Sequence, residues 1–312
     1  MRVTTNFLCG RGLLAVVGSC LIINAASAQT PAAGGAAASA LFASAGVPQL
    51  VAKQFKFTEG PAVDRAGNVF FTDQPNNKIW KYSTDGKLSV FLAAAGRANG
   101  LYFDQQDNLI ACADEQNQLW SISPAGKVTV LVDQLNGRHL NGPNDVWVDP
   151  KGGLFFTDPY YQRDYWTRTA PEVPGQYVYY LAPGQRQPVA VETQLQKPNG
   201  LIGTHDGRLL YVADIGGNKT YRYQLGAGGA LTDKQLFVPQ GSDGMTIDER
   251  GNIYLTGQGV TVYSPTGQLL THIDVPGEWT ANVCFGGKDR KTLFITASEA
   301  VYVLPMRVKG GQ

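Results

Sequence analysis

The stretch GPNDVWVDPKGGLFFTD, residues 142–158, places the polar pair Asn144-Asp145 ahead of a short apolar run, an Asp-Pro turn with two glycines, a second apolar run and a closing Asp. Alternating β-branched and aromatic residues around such a turn read as a β-hairpin entered through a polar mouth. The phrase recurs. Starting from a polar residue, it appears as EGPAVDRAGNVFFTD at Glu59, NGLYFDQQDNLIACAD at Asn99, NGLIGTHDGRLLYVAD at Asn199, DGMTIDERGNIYLTG at Asp243 and NVCFGGKDRKTLFITA at Asn282. With Asn144 in third place, the six starts are 40, 45, 55, 44 and 39 residues apart. A period of this size built only of strands indicates a β-propeller rather than a helical solenoid.

Each unit continues with a third strand, and five have a fourth. The sixth lacks one, and Gln49–Phe55, ahead of the first unit, supplies the missing edge. The expected fold is therefore all-β: a six-bladed propeller over residues 47–305, closed by an N-terminal strand, with 306–312 as a tail. Composition agrees, with 37 Gly and 10% aromatic residues in 312. A net charge of +1 with no basic stripe argues against nucleic acid or an acidic membrane surface as partner. EF-hand loops, P-loops, CxxC pairs and GxSxG elbows are missing from the sequence.

Residues 1–28 read as a signal peptide: Arg2 and Arg11 precede the apolar run 13–23, and Ala26-Ser27-Ala28 forms an A-x-A cleavage site. The run is too short for a membrane span, so the expected location is periplasmic or secreted, with cleavage after Ala28. A lipoprotein reading through Val17-Gly18-Ser19-Cys20 is second. Residues 29–46, rich in Ala, Gly and Ser, read as a flexible leader. Cys112 and Cys284, left after cleavage, lie in apolar strands of different units and read as core thiols rather than a disulfide.

In a propeller the innermost strand of each blade lines the central channel, so the six starts ring one mouth: Glu59, Asn99, Asn144, Asn199, Asp243 and Asn282. Polar residues there could simply hydrate the channel. Two carboxylates converging among amides repel unless neutralised, which favours a cation between them and a metal site at this mouth. His139, His205 and His272 are scattered, so the donors are oxygens. Oxygen donors suit one hard divalent cation, Ca²⁺ ahead of Mg²⁺, Mn²⁺ or Zn²⁺.

The motifs FTEGPAVD (57–64), NGPNDVWVDPKGGLFFTDP around Asn144, KPNGL (197–201), SDGMTIDERGNIY (242–254) and NVCFGGKDRKTLFITA (282–297) resemble the gluconolactonase/regucalcin (senescence marker protein) group of six-bladed propellers, relatives of diisopropyl fluorophosphatase. The likeness spans residues 47–305. It implies a metal-dependent hydrolase opening a sugar lactone, with Glu59, Asn144, Asn199 and Asp243 as divalent-metal ligands and Asn99 and Asn282 as channel neighbours. Regucalcin-type proteins carry Arg two residues before the third-blade Asn, where this chain has Gly142.

Loops after second strands overhang the same mouth. Asp73, Asp158 and Asp214 open three of them; Asp commonly caps a turn through backbone, and Asp158 is the one expected to meet substrate. Its loop is the long one, and Tyr160, Tyr161, Tyr165 and Trp166 read either as a lid or sugar-stacking wall or as packing between blades. Tyr160, Asn99 and Arg97 complete the expected substrate contacts, with a surface ion pair as the alternative for Arg97. Asp243 is the expected base, with metal-bound hydroxide as its rival; Asp145 is expected to tie blades together. Esterase or organophosphatase chemistry on the same site, and a non-catalytic Ca²⁺-binding propeller, are the competing functions. Oligomeric state stays open.

Overall fold

A computed structural model describes residues 40–43 and 45–311; the expected signal peptide and residues 29–39 of the leader lie outside the described residues. Six four-stranded antiparallel sheets follow one another along the chain. Their first strands are Thr58–Val63, Ala98–Phe103, Val146–Val148, Pro198–Gly203, Met245–Ile247 and Thr280–Gly286, and these neighbour one another in cyclic order, so the sheets are the blades of a six-bladed propeller. In the sixth sheet Gln49–Lys53 pairs antiparallel with Ala300–Pro305 as the outermost strand.

The local chemistry repeats with the blades. The hairpin between first and second strands turns on an Asp whose Oδ1 accepts the N–H four residues on: Asp64 from Asn68 at 2.9 Å, Asp104 from Asn108 at 2.8 Å, Asp149 from Gly153 at 2.9 Å and Asp248 from Asn252 at 3.0 Å. Side-chain capping of this kind satisfies turn amides that no ladder can reach. Second strands such as Val69–Asp73 (VFFTD) and Leu154–Asp158 (LFFTD) are buried along their whole length because sheets pack on both faces. Phe71, Phe155, Phe156, Phe285 and Phe294 are among the largest fully buried side chains. Each such side chain contributes about 1.5–3 kcal/mol by burial. Cys112 and Cys284 are free and buried. Among the described residues no helix is long and apolar enough to cross a membrane.

Two boundary readings need correction. Leu41 and Phe42, assigned to a flexible leader, are buried and join Tyr254, Val260 and Val283 in one apolar cluster. Met306 and Val308, assigned to a tail, enter the same cluster. Phe42 bridges Met306, Arg307 N–H donates to the Leu41 carbonyl at 2.8 Å, and Gly311 N–H donates to Ile247 O at 2.9 Å. The Ala-Gly-Ser bias of the leader hid two apolar residues that have a groove to fill.

Candidate metal and substrate site

Four of the six first strands lose register where the polar start residue sits: between Glu59 and Ala62, Ala98 and Leu101, Pro198 and Leu201, and Thr280 and Asn282. In blades three and five the strand begins only after Asn144 and Asp243. An interrupted ladder re-aims a side chain, here toward the channel. Gly follows the start residue in four blades and lets adjacent blades close up; at Gly244 a Cβ would lie 1.9 Å from the Asn282 side chain.

Hydrogen bonds carry the ring from blade to blade. Thr72 Oγ1 donates to Asn99 O (3.1 Å), Gly100 N–H to Asn144 O (2.7 Å), Leu201 N–H to Asp145 Oδ2 (3.2 Å) and Thr256 Oγ1 to Ala281 O (2.7 Å). Asn282 Nδ2 returns to Glu59 Oε2 at 3.2 Å. The start segments of neighbouring blades therefore lie side by side around the ring, with Gly200 packed on Asp243 O between blades four and five, and Asp145 ties blade three to blade four. Asn282 spends its amide on Glu59 and on Val283 N–H, which makes it a support for the carboxylate.

Electrostatics at this mouth are unfavourable as they stand. Glu59 is buried, and loss of solvation, then the charges of Asp243 and Asp145, push its carboxyl well above the usual range. Burial raises Asp243 to about 6, with Trp279 and Asn199 pulling the other way. Trp279 Nε1 donates to Asp243 Oδ2 at 2.7 Å, and the Asn199 side chain is the carboxylate's second polar neighbour. Asn99 Oδ1 and Asn199 Oδ1 are buried without a hydrogen-bond partner. Orphaned buried acceptors beside mutually repelling carboxylates are what a hard divalent cation corrects, since it takes carboxylate and amide oxygens alike. Among the described residues no group of three or more His, Cys, Asp or Glu gathers for a metal, so amide oxygens must complete any donor set. Glu59, Asp243 and Asn199 offer such oxygens, and Asn99 Oδ1 is the second orphaned amide oxygen at hand.

The second-strand aspartates do something other than bind substrate. Asp158 is fully buried, and Oδ2 and Oδ1 accept the N–H groups of Asn141 (2.9 Å) and Gly142 (2.8 Å). Asp73 Oδ1 takes Lys56 N–H at 3.1 Å, and Asp214 Oδ1 takes Lys197 N–H at 2.8 Å. Each clamps the backbone two or three residues ahead of its own blade's start residue, and so aims Glu59, Asn144 or Asn199. The expected substrate contact by Asp158 is thus corrected to a positioning role.

For Arg97 the alternative reading, an ion pair, holds in place of the substrate contact. Its guanidinium binds Glu115 Oε1 (3.2 Å) and Pro75 O (2.7 Å) and lies 4.5 Å from the Tyr165 ring, which leaves it holding the long loop. Tyr160 stays within that loop, its hydroxyl on Gln162 and its ring beside Trp166 and Arg168. The loop residue that does reach the ring is Tyr161, whose hydroxyl accepts from Asn199 Nδ2 at 3.0 Å. Tyr161 is expected only as part of a lid, stacking wall or packing, and Trp279 is absent from the expected site. Tyr161 is one of several aromatics in an irregular segment, and Trp279 precedes its repeat phrase, outside the register that picks out the others.

The SMP-30/Gluconolactonase/LRE-like region matches residues 57–299. The chain belongs to this family. It is 29% identical over 284 residues to a gluconolactonase from Zymomonas mobilis, covering 81% of this chain and 79% of the relative. It is 28% identical over 272 residues to diisopropyl-fluorophosphatase from Loligo vulgaris, covering 77% and 85%. A solved gluconolactonase from Xanthomonas campestris superposes with a TM-score of 0.79 at 29% identity, covering 87% of this chain and 92% of that one. The matched region contains all six start residues.

Proposed function

We propose that this chain is a secreted hydrolase that opens sugar lactones at the channel mouth, with one divalent cation, Ca²⁺ first, held by Glu59, Asn144, Asn199 and Asp243. The observation that carries the reading is the pairing of two charge-strained carboxylates with orphaned amide oxygens at the mouth of a gluconolactonase-family propeller. Secretion rests on the signal-like residues 1–28, and Gln49–Lys53 is read as the strand that closes the ring.

When bound, the cation would act as a Lewis acid toward the lactone carbonyl and compensate the two carboxylates. Asp243 is the proton acceptor. Trp279 fixes Oδ2, and Oδ1 takes a proton from the water that attacks the carbonyl carbon. Collapse of the tetrahedral adduct breaks the ring C–O bond, and the proton goes to the departing alkoxide oxygen, giving the hydroxy acid. Burial raises this carboxyl to about 6 in the cation-free site and a bound cation draws it down, so the proton affinity of Asp243 during turnover is set by the balance of the two. Tyr161, on Asn199, walls the site on the loop side and limits water to the reacting face.

Proton release from glucono-1,5-lactone, followed in a pH-stat above the spontaneous rate, tests this. Chelation should remove turnover and added Ca²⁺ should restore it. Stoichiometric cation with no turnover across a panel of lactones would shift the function to ligand binding alone.

A further inference from the structure

Blade two carries an aspartate, Asp114, one residue beyond the register of Asp73, Asp158 and Asp214, a register that Ala113 holds in this blade through its pairing with Gln118. The other three clamp backbone amides of their own blades. Asp114 does not. It is buried, and its Oδ2 accepts from Arg163 Nε at 2.8 Å, from the Tyr165 hydroxyl and from Gln74 Nε2 at 3.3 Å, while its carbonyl accepts from Trp166 Nε1 at 3.1 Å. Three side chains of the long third-blade loop thus converge on one residue of the neighbouring blade. Gly142 makes room: a Cβ there would stand 2.4 Å from Asp114 Oδ1 and 3.0 Å from the Trp166 ring.

This anchoring sets one edge of the Arg163 guanidinium and leaves the other free. Among the described residues the side chain's hydrogen bonding ends at Asp114, so Nη1 and Nη2 have no protein acceptor. The guanidinium carbon lies 5.4 Å from the Tyr161 ring, which itself reaches Asn199, and the Arg163 charge is felt at Asp243. A planar fork held on one side by a buried carboxylate is preorganised to meet a ligand's oxygens with the other.

We propose that Arg163 is a specificity-determining residue, positioned by Asp114, whose free Nη groups bind the hydroxyl oxygens of polyhydroxylated lactones and the carboxylate or hydroxyls of the ring-opened acids. This rests on the lactonase reading and narrows its substrate class to lactones rich in oxygen substituents over unsubstituted ones.

The test compares glucono-1,5-lactone with δ-valerolactone, which has the same ring size and no hydroxyls, in Ca²⁺-loaded wild type, R163M and D114N. R163M should raise KM for the sugar lactone about tenfold or more, the range expected for a lost charge-assisted hydrogen bond, with kcat within about threefold. Its kcat/KM on δ-valerolactone should fall far less than on the sugar lactone, and Ca²⁺ should still bind at one per chain by calorimetry, no more weakly than in wild type, because a positive charge near Asp243 is gone. D114N should move the sugar-lactone KM in the same direction, and gluconate binding by calorimetry should weaken in both variants. An equal loss on both lactones reduces Arg163 to a structural prop of the loop, and an unaltered sugar-lactone KM overturns the proposal outright. If wild type turns over neither lactone, the hydrolase reading fails; gluconate titration then decides Arg163 alone, and binding that is absent in wild type or equally tight in R163M contradicts it.

Discussion

Asp243 joins both halves of the proposed chemistry, since Trp279 orients its carboxylate through Oδ2 while Asn199, a proposed ligand, lies beside it. Asp243→Asn should abolish lactone opening and weaken cation binding while the circular dichroism of the cation-free protein stays that of wild type and its melting temperature near pH 8 holds or rises, since an uncompensated carboxylate is gone. Turnover retained with bound cation would remove Asp243 as the base. Trp279→Phe should loosen cation binding or slow turnover by about tenfold, the usual cost of losing a hydrogen bond that orients a metal-binding carboxylate. No change in either quantity would make that contact incidental. The ring residues were legible because each heads a repeated phrase, so their register declared them. Asp158 and Arg97 were legible as residues at the mouth but not in their roles: a carboxylate that serves two backbone amides and a guanidinium that holds Glu115 look, in sequence, like free ones. Trp279 and Tyr161 work from irregular segments, where spacing carries no information about direction.

At the scale of the element, the blade hairpin builds the site through three repeated devices: a broken ladder at the start residue, a glycine or its equivalent beside it, and a second-strand aspartate that clamps the approach. Gly244→Ala tests the second, because its Cβ would overlap the Asn282 amide that steadies Glu59. The expected loss is about 1–3 kcal/mol of stability, the cost of overpacking a filled site, together with weaker cation binding. Thermal unfolding and calorimetry measure both; a stable variant with full cation affinity would contradict the packing account. The strands themselves were read to within a few residues, since alternation and Asp-x-x-Gly turns report local structure directly. The loop's path over Asp114 was not, because it depends on long-range partners that no local pattern encodes.

For the molecule as a whole, uncompensated carboxylates tie stability to pH. Burial raises Asp145 and Asp158 to about 7 and Asp243 to about 6, and pushes Glu59 upward as well. A carboxyl with a raised folded-state pKa keeps its proton where the unfolded chain, at about 4, has released it. The folded state then binds more protons, so stability falls as pH rises from about 4 to about 7. Cation-free protein should therefore melt at a higher temperature near pH 5 than near pH 8, and Ca²⁺ should stabilise it most at pH 8; scanning calorimetry that finds no such dependence would contradict the shared burial of these groups. The overall architecture was legible from the repeat, whereas the packing of Leu41, Phe42, Met306 and Val308 was not. Phe42→Ala should cost about 3 kcal/mol if that cluster is part of the cooperative core. The most direct measurement is a Ca²⁺ titration of chelator-treated protein that follows heat and the rate of glucono-1,5-lactone opening together. Both should rise in step and saturate at one cation per chain in wild type, and both should be lost in Asp243→Asn; full turnover before any cation is added would contradict the account.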